Sequence, residues 1–249
     1  MPTLGYCLEF PNSSENNYMS LLLYEHVAEN GQIIDPYSWR IRLALAHMNI
    51  EVKTIPISLF KFREFFIKEN LTKLPMVVDG DRKIATSWEV ANYLERNFPE
   101  APTLFGGEVG AHLAKFVHSW VEKNLLKHLY ALIGDRIYEL LAINDRPLFE
   151  AFLRNEFNLR QDLLGYQKEE KLLKFRKSLD PFRLVMLDRP FLSGELPAYG
   201  DFIFYGPLKW AEEIYQGPLI ESDDLVYLWK SRMDELFSHL GPDKKDISA

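Results

Sequence analysis

The sequence predicts a chain in two parts, a small α/β unit followed by an all-helical one. Three observations carry this reading. Short apolar runs and helical stripes alternate through the first hundred residues. A Pro- and Gly-containing stretch, APTLFGG at 101–107, separates two periodic regions. Beyond it, apolar residues keep helical spacing over long segments.

Leu21 to His26 (LLLYEH) is a short apolar run that fits a buried strand. Asp35-Pro36 then marks a helix start, with Asp as N-cap and Pro at the first helical position. Ile41, Ala44, Leu45 and Met48 follow at i, i+3, i+4 and i+7 and predict one core-facing stripe. Val52 to Ile57 is rich in β-branched residues and predicts a second strand. A polar, Phe-rich connector leads to Met76-Val77-Val78, the turn Asp79-Gly80-Asp81 and Lys83-Ile84-Ala85, a tight hairpin. Ser87 to Asn97 predicts a helix with Val90, Tyr93, Leu94 and Phe98 on one side, ending before Pro99.

Past the boundary, Leu113, Phe116, Val117, Trp120, Leu125, Leu129 and Leu132 predict a long helical stretch, with an interruption at Gly134-Asp135. Further helices are expected at about 147–164, 170–187, 199–215 and 223–240. The expected divisions are a leader at 1–20, the α/β domain at 21–101, the helical domain at 108–240 and a frayed tail at 241–249.

Composition narrows the function. With 249 residues, 47% of them hydrophobic, the chain can bury a large core. A formal charge of −7 leaves no basic footprint for nucleic acid. No apolar run approaches the roughly 20 residues of a membrane helix. The first 20 residues lack a basic n-region and an apolar h-region, and the single Cys7 allows no internal disulfide. A cytoplasmic location is the expectation. The histidines at 47, 112, 118 and 128 show no paired metal-ligand spacing, so no metal site is expected. Trp120, Tyr130, Tyr205 and Trp210 are expected in the core rather than around a ligand.

Three segments, PYSWRIRLALAH, KLPMVVDG and TSWEVANYLERNFPEAPTLFG, together with PAYGDFIFYGPLKWA further on, resemble a soluble glutathione transferase. The SPYxWR-like turn and the SWxIAxYL-like segment are most similar to the lignin β-etherase branch and its fungal relatives. The resemblance implies a thioredoxin-like N-terminal domain, an all-α C-terminal domain, glutathione as co-substrate, a small apolar or aromatic second substrate and a homodimer.

It also implies a site. The main chain at Leu74, before a cis Pro75, would pair with the cysteinyl part of the tripeptide. Thr86 and Ser87, at a helix start, would hold the γ-glutamyl end, although Thr86 stands where the family has Glu or Asp. Lys73 would meet the glycyl carboxylate. The family's thiol-orienting serine aligns with Asp35, whereas Ser38 aligns with the second position of a Cys-x-x-Cys turn. An ionised Asp donates nothing to a thiolate and repels it. Activation is therefore expected to suffer unless Asp35 is protonated, turns inward as a cap, or leaves the donor role to Ser38, Tyr37 or Tyr24. At the other end, Ala198 occupies the cap of the sixth family helix while Asp201 keeps its place three residues on, a cap missing its hydroxyl.

The expectation is an enzyme of glutathione S-transferase type, its catalytic candidates Ser38, Asp35 and Tyr37. It would move the glutathione thiolate onto an aromatic electrophile, β-aryl ether cleavage being the most specific version. The alternatives are a non-catalytic, ligandin-like binding protein and a docking module of the same fold.

Overall fold

The structure, a computed structural model, describes residues 21–58 and 73–240. The leader with Cys7, the Phe-rich connector and the tail lie outside the described residues.

The first unit runs β1 (Leu21–His26), α1 (Pro36–His47), β2 (Val52–Ile57), β3 (Met76–Asp79), β4 (Arg82–Ala85) and α2 (Ser87–Asn97). The sheet order is β2-β1-β3-β4. β2 is parallel to β1 across the α1 crossover, and β3 is antiparallel to both β1 and β4. This is the thioredoxin-like arrangement that the resemblance implies. Among the described residues β2 lies at the sheet edge, paired on one side only, which is where Pro56 is tolerated. Gly80 takes φ 57° in the β3–β4 turn, a conformation that costs glycine little.

α1 is buried more widely than one stripe. Trp39, Arg40 and Leu43 are enclosed along with Ile41, Ala44 and Leu45, because α1 lies between the sheet and a helix of the second unit. Arg42 forms a two-pronged ion pair with buried Glu25 on β1, at 2.8 and 2.6 Å, and fixes the helix on the sheet.

The second unit contains α3 (Glu108–Trp120), a π-helical turn (Val121–Leu125), α4 (Leu126–Leu140), α5 (Arg146–Phe157), a 3₁₀ turn (Gln161–Leu163), α6 (Lys168–Ser178), α7 (Asp180–Val185), α8 (Tyr199–Ile214) and α9 (Leu225–Leu236). The expected interruption at Gly134 is absent. Gly134 sits inside α4, where an added Cβ would come within 3.0 Å of Leu164, so the glycine serves close packing. The irregularity occurs instead at the π turn. The helix expected at 147–164 stops at Phe157, where Asn158 adopts the left-handed conformation at its end. The one expected at 170–187 divides into α6 and α7 at Leu179-Asp180-Pro181. Leu113 and Phe116 face outward instead of joining the core, while Tyr130, Tyr205 and Trp210 are buried in it.

α8 is the central post. Its N-cap is Ala198, yet Asp201 accepts from the N–H groups of Ala198, Leu192 and Ser193 and from the Trp229 indole. The missing cap hydroxyl is thus offset by a carboxylate that joins α8, the preceding loop and α9. Gly206 lets α8 approach α1: a Cβ there would meet Arg40 and the Pro36 carbonyl at 3.0–3.2 Å. Pro207 donates no N–H, and the Ile203 carbonyl four residues back is taken up by Arg40 Nε at 3.1 Å.

Candidate functional site

The two units meet where α1 and α2 begin. After β1, a tight turn closes through Ala28 N–H to Gln32 C=O, and the Gln32 amide anchors it to the Glu213 carbonyl on α8. The chain therefore enters α1 at a fixed angle. Asp35 caps it: Oδ1 accepts from Tyr37 N–H (2.8 Å) and Ser38 N–H (2.9 Å), and Oδ2 accepts from the Ser38 hydroxyl (2.7 Å). Both side chains are buried, Ser38 completely. Burial pushes the Asp35 carboxyl above the usual carboxylate range, against the opposing pull of those three hydrogen bonds and of Arg40.

Tyr37 turns toward the helical unit, and its hydroxyl donates to Glu122 Oε2 at 2.8 Å. Glu122 Oε1 accepts from Arg40 Nη1, also at 2.8 Å. Arg40 is fully buried at the α1–α8 contact. Burial and the neighbouring Glu122 charge drive the Tyr37 phenol up, so it stays protonated at neutral pH. Burial also works to raise Glu122, but the Arg40 charge and the two hydrogen bonds prevail and hold it low. Glu122 belongs to the π turn, a feature frequent at functional sites because it turns side chains away from their α-helical direction.

Leu74 and Pro75 are joined by a cis peptide bond just before β3, with Pro75 buried, Leu74 half-buried and Lys73 exposed. Thr86 caps α2, accepting from Glu89 N–H through its hydroxyl. It does so at φ 67°, unusual for a β-branched residue and of a kind that clusters at ligand sites. Ser87 is buried, and its carbonyl accepts from the Tyr199 hydroxyl of α8. Trp88 packs against Phe105, His118 and Tyr199, with the Lys115 ammonium 4.4 Å from its ring centre. Burial, with Arg40 nearby, lowers His118 to about 4.

The structure therefore gathers Asp35, Ser38 and Tyr37 at the start of α1, and places Thr86 and Ser87 at the start of α2. Sequence reasoning missed Glu122, His118, Lys115 and Tyr199. All come from the helical unit, and nothing local to them signals the contact. Arg40 was legible only as the Arg of the SPYxWR-like turn. Among the described residues no group of three or more His, Cys, Asp or Glu is placed to hold a metal, and no helix is long and apolar enough to cross a membrane.

Residues 31–96 match the family model described as the N-terminal domain of glutathione S-transferase. Residues 112–240, more than half of the chain, match that of a glutathione S-transferase C-terminal domain. A zeta-class glutathione S-transferase of Euphorbia esula is 35% identical over 71 residues, which make up 27% of this chain and 32% of the relative. The matched stretch thus spans about a third of that relative's length. Among solved structures, a glutathione transferase of Phanerochaete chrysosporium superposes with a TM-score of 0.75 at 16% identity, over 91% of this chain and all of that one. A glutathione S-transferase of Ceriporiopsis subvermispora, solved in complex with glutathione, gives 0.76 at 15% identity, over 89% and 99%. At such identity these two likenesses speak for the fold.

Proposed function

Because the chain belongs to the glutathione S-transferase family, we propose that it binds glutathione at the start of α1, holds an aromatic ligand beside it, and activates the thiol weakly. One observation carries this reading. Every side chain at that helix start that could serve a thiol is already committed to the protein: Asp35 to the cap, Ser38 to Asp35, and Tyr37 to Glu122. A sulfur placed there finds no uncommitted hydroxyl among these three side chains, and an ionised Asp35 opposes the thiolate. On this reading the tripeptide lies along the main chain at Leu74-Pro75, the α2 start at Thr86-Ser87 takes its γ-glutamyl carboxylate, and Lys73 faces the glycyl end.

Glutathione at millimolar concentration should raise the melting temperature by mass action, and a glutathione-agarose column should retain the protein. An unchanged melting curve would sink the proposal and leave the docking-module alternative.

A cavity of about 290 Å³ bordered by Tyr37, Phe152 and Phe157 favours a second reading, a working transferase. The thiolate would attack an electrophilic carbon of an aromatic substrate held there. In the β-aryl ether version a carbon–sulfur bond forms, the carbon–oxygen bond breaks, and the aryl oxygen leaves with the electron pair as phenolate. Glutathione-dependent loss of 1-chloro-2,4-dinitrobenzene or of a β-aryl ether separates the two readings.

A homodimer belongs to the same proposal. Val109, Leu113 and Phe116 form an apolar stripe at i, i+4 and i+7 on α3, and they are 75%, 63% and 69% exposed. Such a stripe gains from being covered by a second copy.

A further inference from the structure

We infer that the cavity beside Tyr37 selects an aromatic ligand carrying a carboxylate, gripped by Lys123 and Lys127; this rests on the reading of that cavity as the second-ligand site. The cavity opens between the π turn with the start of α4 on one side and the end of α5 on the other. Its volume of about 290 Å³ suits one ring with a short substituent. The Tyr37, Phe152 and Phe157 rings supply apolar wall, and Phe157 is itself held by stacking on buried Tyr130 at 4.8 Å.

The charge of the lining decides the class of ligand. Two carboxylates border the cavity. Glu122 is cancelled by Arg40 and saturated by the Tyr37 hydroxyl. That leaves Glu156 against the ammonium groups of Lys123 and Lys127, an excess of one positive charge. The two lysines stand four residues apart, and neither takes part in an ion pair among the described residues. Asn155 and Asn158 add amide donors at the same rim. A cation is disfavoured by the net charge, and a neutral aromatic leaves the excess positive charge unmatched. A monoanion whose ring lies on the phenylalanines answers both features.

The test uses the full chain, titrated calorimetrically with trans-cinnamate and with cinnamyl alcohol, which share ring and length and differ in charge, each without and with saturating glutathione. Cinnamate is expected to bind about tenfold more tightly than the alcohol, about 1.4 kcal/mol. That preference should shrink as salt is raised. In the Lys123→Gln/Lys127→Gln variant it should vanish while the alcohol's affinity stays unchanged, and Lys115→Gln should retain it. Equal affinity for both probes, a preference that survives the double substitution, or no binding of either probe overturns the inference. Glutathione affinity on the same samples reports separately on the tripeptide site: its loss beside an intact acid preference removes that proposal and keeps this one.

Discussion

Asp35 concentrates two demands in one side chain. As a cap it is well chosen, since its carboxylate satisfies two helix-start N–H groups and the Ser38 hydroxyl. As the neighbour of a thiolate it is the wrong charge. Serine caps a helix about as well as aspartate, so Asp35→Ser should fold normally while removing the repulsion and adding a donor. The expected outcome is a rise of about tenfold or more in glutathione-dependent turnover of chlorodinitrobenzene at neutral pH, since one pKa unit on the thiol is about 1.4 kcal/mol. The pH–rate profile should move toward acid. An unchanged rate and profile would mean that the sulfur does not sit at this helix start. The Asp-Pro cap was legible in the sequence because capping is local chemistry between neighbours. The engagement of Tyr37 by Glu122 was not, because 85 residues separate the pair and only the packing of α1 on the helical unit brings them together.

At the scale of elements, β1 and α3 each carry a histidine whose titration should register in stability. His26 closes β1 and is held down to about 4 by burial; His118 on α3 is lowered to about 4 by burial and by Arg40. Each takes up its proton near 6.5 once unfolded. Between these values the unfolded chain binds more protons than the folded one, so stability is full above about pH 6.5 and drains as pH falls toward 4. Thermal melts over this window should show a steep decline in melting temperature below about pH 6.5. His118→Gln should flatten part of it; a variant with the same slope as the parent would assign the proton uptake to other groups. Element bounds were legible wherever a local signal fixed them, as at Leu21–His26, Val52–Ile57 and Ser87–Asn97. The π turn was not, because its apolar spacing is read equally well as continuous helix. Gly134 misled for a related reason: a glycine kept for contact with Leu164 looks, in one dimension, like a break.

For the molecule as a whole, the sequence told that an α/β unit is followed by an all-helical one but not which outward residues would be left uncovered. Leu113 and Phe116 share the period of Val117 and Trp120, so spacing alone put them in one core, whereas the crossing of α3 over α8 buries only one side of that helix. The outward stripe of Val109, Leu113 and Phe116 gives the proposed homodimer a direct test. In a two-fold interface each substitution appears twice and faces its own copy or a near neighbour, so a single carboxylate introduces mutual repulsion as well as a buried charge. Sedimentation of the parent should give a dimer, and Leu113→Glu with Phe116→Glu should give a monomer. None of these side chains supports the interior of its own chain, so the monomer should keep the native circular dichroism. If the parent sediments as a monomer at micromolar concentration the stripe does not join two copies. If the double variant loses its fold along with its partner, α3 is held by the second chain rather than merely covered by it.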